Sequence, residues 1–184
     1  MRLSSRFFIK IYDMIVMGGF MNQIILGTGS YDTVKSGNRV SISGDGGLLK
    51  DFNGPNYKKL APRLDTFKTY AEKYKILRDN ILEYEHYLLL KEQMENQYIK
   101  SFYETRLRDL DVYELLNSLE DQFGNDIILL CYENEKQFCH RRIVADYIEL
   151  ETGLYVPEVA VDEKGKVKEL VPIRYTNRLK EIIK

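Results

Sequence analysis

Hydrophobic and polar positions divide the chain into regions of different period. Asn22–Leu26, NQIIL, is apolar and β-branched and predicts a strand, which Gly27-Thr28-Gly29-Ser30 closes as a loop. Arg39–Ser43 alternates as RVSIS, the period of a second short strand, before Gly44-Asp45-Gly46-Gly47 breaks it. The stretch through Pro55 and Pro62 shows no period and reads as an ordered loop. Leu64–Phe123 then contains neither Pro nor Gly and is rich in Leu, Glu, Lys and Tyr, a helical block too long for one globular helix. Breaks are expected near Lys75–Asn80 and Arg108–Asp111. Asp111 with Glu114 resembles a capping box, Leu115, Leu116 and Leu119 supply the apolar face, and Gly124 is the stop.

Beyond Gly124 the period changes again. Asp126–Cys131, DIILLC, is a short continuous apolar run, as expected of a strand buried on both faces. Ile143, Val144, Tyr147 and Ile148 recur at helical spacing, with Arg142, Asp146 and Glu149 on the opposite, solvated face and Gly153 at the end. The tail predicts strands at Glu158–Val161 and Val167–Val171, a turn at Asp162–Lys166 and a short helix from Thr176. Strands interleaved with helices predict an α/β fold: a small, mainly parallel sheet flanked by helices, with an extended helical insertion. The expected division is one α/β domain over 21–184, its helical block at about 64–123.

The first twenty residues, MRLSSRFFIKIYDMIVMGGF, read differently from the rest. Lys10 and Asp13 interrupt their apolar run, which is too short to span a bilayer, and no cleavage site of small residues follows. Gly18-Gly19-Phe20-Met21 is what a purine-rich ribosome-binding site and its start codon give when translated in frame. Met21 is therefore the expected initiator, and 1–20 an upstream over-extension or a disordered extension.

Composition narrows the function classes. The 184 residues carry 27 Lys and Arg against 28 Asp and Glu, so the net charge of -1 provides no global field for nucleic acid or an anionic membrane. General nucleic-acid binding and membrane association are not expected, and the location expected is cytoplasmic. Two cysteines and two histidines are too few for a secreted disulfide scaffold and leave little for a metal cage. Three of those four, Cys131, Cys139 and His140, fall within ten positions.

That cluster sits on a strand, a loop and a helix start. In open α/β sheets, ligands bind outside the carboxyl ends of the strands, where such loops emerge. Cys131 lies at that end and Cys139-His140-Arg141 opens the helix, whose first N–H groups suit an anion. Arg141 adds a planar charged fork. A thiol at a helix N-terminus beside His and Arg ionises more readily than a free one, so Cys139 is the candidate nucleophile or redox thiol, while Cys131 also reads as a packing residue. Glu133 is placed to orient His140 or to act as a base. A metal site has less support, because Cys131-x7-Cys139 lacks the short paired spacings of structural zinc. A redox disulfide lacks the C-x-x-C spacing.

The run Leu129–Glu149, LLCYENEKQFCHRRIVADYIE, resembles the signature of domain-of-unknown-function family 488, a strand ending in Cys-x-Glu followed by a Cys-His-Arg helix start. Ile24–Tyr31, Arg39–Ser43 and Tyr57–Pro62 are similar to that family's first strand and loop, second strand, and Tyr-x-x-Leu-Ala-Pro segment, so the resemblance spans roughly Asn22 to Gly153. It implies a small α/β fold and marks Cys131, Glu133, Cys139, His140 and Arg141 as the site, with Tyr31 and Lys59 in second line. It supplies no reaction, and it leaves any cofactor unspecified. The helical stretch near 76–103 and the tail after Gly153 depart from shorter members.

Other patterns carry less. Gly27-x-Gly29 is not continued by a third glycine or by a helix, which excludes a Rossmann dinucleotide loop. Thr28, Ser30 and Tyr31 would offer hydroxyls to the same crevice if their strand lay beside that of Cys131. Tyr84, Tyr87, Leu88 and Lys91 recur at helical spacing as a face docked on a sheet or on a partner protein, with His86 on the polar side. The expected function is binding of a small anionic ligand, phosphorylated or nucleotide-type, by Arg141, Cys131, Tyr31 and Lys59, with Cys139, His140 and Glu133 as candidate catalytic groups for thiol or acid/base chemistry. The alternatives are a non-catalytic interaction module acting through the helical block, and a redox or metal site at Cys131, Cys139 and His140.

Overall fold

The computed structural model describes residues 24–80 and 83–184, so the expectations for the first twenty residues and Met21 lie outside the described residues. The strands are β1 (Ile25–Ser30), β2 (Asn38–Ser41), β3 (Ile127–Cys131), β4 (Glu158–Val161) and β5 (Val167–Leu170). They form one sheet in the order β2-β3-β1-β4-β5, parallel throughout except for the antiparallel β4–β5 hairpin. The mainly parallel α/β architecture read from the sequence is the one observed.

β1 corrects the sequence reading. Gly27–Ser30 does not close the strand but continues it, β1 running from Ile25 to Ser30. The glycines are there because β4 and the chain after β1 approach too closely for side chains. A Cβ on Gly29 would lie 2.4 Å from Val34 Cγ2 and 2.8 Å from the Val159 carbonyl, and one on Gly27 would lie 2.7 Å from the Pro157 carbonyl. β2 is also shorter than expected: Ser41, opposite Leu130, is its last residue in register, and on the other edge the Ser41 N–H donates to the Pro55 carbonyl.

The helices are α1 (Leu64–Asp79), α2 (Tyr84–Phe102), α3 (Val112–Phe123), α4 (His140–Thr152) and α5 (Thr176–Ile183), with α2 continuing into a π turn at Tyr103–Leu107. The helical block thus breaks at both expected places. Asp111 caps α3 by accepting from the N–H groups of Tyr113 at 2.9 Å and Glu114 at 3.1 Å, and Gly124 ends it with φ 79°.

The strand alternation sorts the core. Ile127 and Leu129 join the main core built by α2, α3, α4 and α5, whereas Ile128 and Leu130 pack with Tyr31, Val34, Val159 and Val161 in a smaller cluster. Helices therefore gather over one face of β3. No helix among the described residues is long and apolar enough to cross a membrane.

Two helix faces differ from expectation. On α4 the polar side is not solvated: every residue from His140 to Ile148 is buried, including Arg142 and Asp146. The reason is the tail, which folds back over it. Asp146 accepts from the Tyr175 N–H and pairs with Arg174 at 2.9 Å, and Glu149, partly buried, accepts from the Val156 N–H at 2.8 Å. On α2 the docked face is its C-terminal half, Glu95, Tyr98, Ile99 and Phe102, while Tyr84 and Leu88 are exposed; His86 is exposed as read.

Candidate active site

β1 and β3 are neighbours, with Ser30 the register partner of Cys131. Their carboxyl ends therefore lie side by side, and the Tyr31 N–H donates to the Cys131 carbonyl at 3.1 Å. The loop 132–138 then carries the chain to Cys139, the N-cap of α4, so that the next two side chains at the helix start are His140 and Arg141. Strand end and helix start bring Cys131, Glu133, Cys139, His140 and Arg141 into one group.

The group is almost closed to solvent. Cys131 is 3%, Cys139 2%, His140 5% and Arg141 0% exposed, while Glu133 is partly exposed. His140 Nε2 lies 2.9 Å from the Ile42 carbonyl, an acceptor only, so Nε2 carries a proton and donates it. This fixes the ring with Nδ1 3.7 Å from Cys131 Sγ. Cys139 Sγ and Glu133 Oε2 are 2.9 Å apart with one proton between them.

The electrostatics follow from these contacts. Burial opposes ionisation of Cys139, but the hydrogen bond from Cys131, the charge of Arg141 and the contact with His140 outweigh it and hold the thiol well below its ordinary value. Cys131 moves the opposite way, raised first by its hydrogen bond to Cys139 and then by burial. Burial, the charge of Cys139 and the hydrogen bond they share push the Glu133 carboxyl up to about 7. For His140 burial favours the neutral ring, yet Cys139 and the Ile42 carbonyl together raise its pKa.

Arg141 has a counterion that the sequence did not reveal. Its Nη2 donates to Glu158 Oε1 at 2.7 Å and its Nε to the same carboxylate at 3.1 and 3.3 Å. Its Nη1 is buried with no hydrogen-bond partner. Thr28 Oγ1 donates to Glu158 Oε2 at 2.6 Å and accepts from Arg142 Nη1 at 2.7 Å, and Arg142 pairs in turn with Asp146. The site thus stands on a buried chain of alternating charges across β1, α4 and β4.

Tyr31 lies beside the group, its hydroxyl 2.6 Å from Ser41 Oγ and 2.9 Å from Ser43 Oγ, with burial raising its pKa. Lys59 stands apart: it is exposed, with its ammonium 5.9 Å from the Tyr57 ring centroid. Sequence reasoning missed the aromatic cover. Phe138 packs against Tyr70, Tyr98 and Tyr175 with centroids 5.1, 5.2 and 5.3 Å away, and Phe102 sits 5.7 Å from the His140 ring. Tyr98, buried, is held well above its ordinary pKa by burial and by the nearby charges of Cys139, Cys131 and Glu133. The helical block therefore closes the site, and the only sequence signal for this was the i, i+4 spacing of Tyr98 and Phe102.

Cys131, Cys139 and His140 also place one donor atom each within 4.8 Å of one another, the grouping among the described residues with the spacing of a metal site. Two sulfurs and one imidazole form a donor set suited to zinc.

Comparison with curated proteins and with solved structures returned no match. The family model described as Domain of unknown function DUF488 matches residues 56–148, half of the chain and the whole of the Cys131–Arg141 group. The chain belongs to the family of domain of unknown function DUF488.

Proposed function

We propose that this cluster is a thiol active site for a small anionic substrate, with Cys139 as nucleophile and Glu133 and His140 as its proton-handling groups. The observation that carries the reading is Arg141. Its guanidinium is fully buried, two of its nitrogens are satisfied by Glu158, and Nη1 has no partner. An unpaired donor on a buried cation costs free energy that a bound anion recovers. That cation also acts on the Cys139 sulfur, so one charge serves both the nucleophile and the group it would attack. Glu133, sharing its proton with Cys139, is placed to return that proton to a leaving group.

Alkylation under native conditions tests the reading. Iodoacetate, an anion, is expected to label Cys139 faster than neutral iodoacetamide does, and the preference is expected to vanish in Arg141→Gln. Equal or slower labelling by iodoacetate at Cys139, located by peptide mapping, sinks the anion site.

A metal centre is the second reading, favoured by the three donor atoms and by the His140 Nε2–Ile42 hydrogen bond, since a metal-bound imidazole commonly donates its other N–H to a carbonyl. Elemental analysis of protein purified without chelator decides it: stoichiometric zinc supports this reading, and zinc-free protein with two titratable thiols removes it.

A further inference from the structure

We propose that Cys131 and Cys139 act as a hydroperoxide-reducing dithiol, Cys139 taking the oxidation and Cys131 resolving it as an intramolecular disulfide. This rests on the reading of Cys139 as the nucleophile of the site. The two sulfurs are free, lie within 4.8 Å of one another, and stand at the end of β3 and at the N-cap of α4, joined by the irregular loop 132–138. A disulfide needs them at about 2 Å, so closure requires a combined movement of at most about 3 Å from the two side chains. Each sulfur also has a separate polar partner, His140 Nδ1 for Cys131 and Glu133 Oε2 for Cys139. Two cysteines that merely packed would need neither.

Burial selects the oxidant. With the sulfurs 3% and 2% exposed, under a cover of Tyr98 and Phe138, a peptide or glutathione disulfide does not reach Cys139, whereas a hydroperoxide of a few atoms does. The Cys139 thiolate attacks one peroxide oxygen, so that an S–O bond forms and the O–O bond breaks. The departing hydroxide takes the proton held by Glu133 and leaves as water, with Arg141 Nη1 as a donor to the oxygen on which charge develops. Cys131 then attacks the sulfenic sulfur of Cys139. The S–S bond forms, the S–O bond breaks, and the Cys131 proton passes through His140 Nδ1 to the departing hydroxide. At that stage Cys139 is no longer a thiolate, which frees Nδ1 to accept. Two thiols lose two electrons and one hydroperoxide is reduced, giving two waters from hydrogen peroxide or one water and one alcohol from an alkyl hydroperoxide.

The test uses the full reduced chain with one equivalent of hydrogen peroxide under native conditions. The expected result is loss of both titratable thiols, an intact mass lower by two hydrogens, and a Cys131–Cys139 cross-linked peptide; with Cys131→Ser, dimedone is expected to trap a sulfenic acid on Cys139. The wild-type peptide map decides the matter even if that variant fails to fold. Oxidation of Cys139 to sulfinic acid with no disulfide, or a dimedone adduct on Cys131, overturns the proposal. If iodoacetate labels Cys139 preferentially but peroxide gives no disulfide, the dithiol fails and the anion-site reading stands. If neither reagent reacts at Cys139, both fail.

Discussion

Arg141 and Glu158, seventeen positions apart, face each other in the interior with exposures of 0% and 1%, their closest contact the 2.7 Å Nη2–Oε1 hydrogen bond. Such a pair contributes little when intact but costs about 3–5 kcal/mol when one partner is removed, because the remaining charge is left buried and uncompensated. Glu158→Leu is therefore expected to lower the urea midpoint by an amount equivalent to several kcal/mol with little change in slope. A loss below about 1 kcal/mol would mean that Arg141 finds another partner.

Asp146 joins α4 to the tail. It takes Arg142 at 3.2 Å and Arg174 at 2.9 Å, together with the Tyr175 N–H. Asp146→Ala is expected to release the segment from Ile173 to α5, seen as faster amide exchange there than in β3. Since Tyr175 packs on Phe138, alkylation of Cys139 should rise in the same variant. Unchanged exchange in the tail would show that Leu179 and Tyr175 anchor it through packing alone.

Which parts of this site were legible in the sequence follows from how local they are. Cys131, Glu133, Cys139 and His140 lie within ten residues, and their arrangement depends only on a strand ending and a helix starting, both marked by hydrophobic period. Glu158 was invisible because it meets Thr28 across 130 positions and nothing local announces a buried carboxylate; Thr28 was read as a hydroxyl for the crevice, but not as the bridge between Glu158 and Arg142. The same non-locality defeated the periodicity of α4, whose polar face is buried by a tail that folds over it. In α2 the period was correct, but the stretch packed within the chain is Glu95–Phe102 and not the one around Tyr84, because Tyr84 and Tyr98 look alike until the sheet is in position.

Gly29 shows how a glycine signal can be misread. Its φ does not require glycine; the neighbouring atoms do, with Val34 Cγ2 and the Val159 carbonyl both nearer than a Cβ contact allows. Gly29→Ala is expected to destabilise by about 1–3 kcal/mol through overpacking. Gly124→Ala, where nothing lies within 4 Å but φ is 79°, should cost about 1 kcal/mol through backbone strain instead. Pairing each with Val34→Ala separates the causes: relief at Gly29 and none at Gly124 is the expected pattern in thermal unfolding, and equal behaviour would contradict it.

Glu133 gives the site a pH signature with a definite sign. Burial raises its folded-state pKa from 4.5 to about 7, so between those values the folded chain keeps a proton that the unfolded chain releases. Its contribution to stability is therefore fully present below about pH 4.5 and is lost as pH rises through about 7. Glu133→Gln, which keeps the shape and, in its amide N–H, a donor for the Cys139 sulfur but cannot ionise, lacks this loss. The variant is expected to match the wild type near pH 4.5 and to exceed it above pH 7 by up to about 3 kcal/mol, the equivalent of the shift. Urea unfolding of both proteins across this range measures the difference. A difference independent of pH would place the ionised Glu133 in a solvated position in the folded chain, and the proton shared with Cys139 would then have to reside on the sulfur.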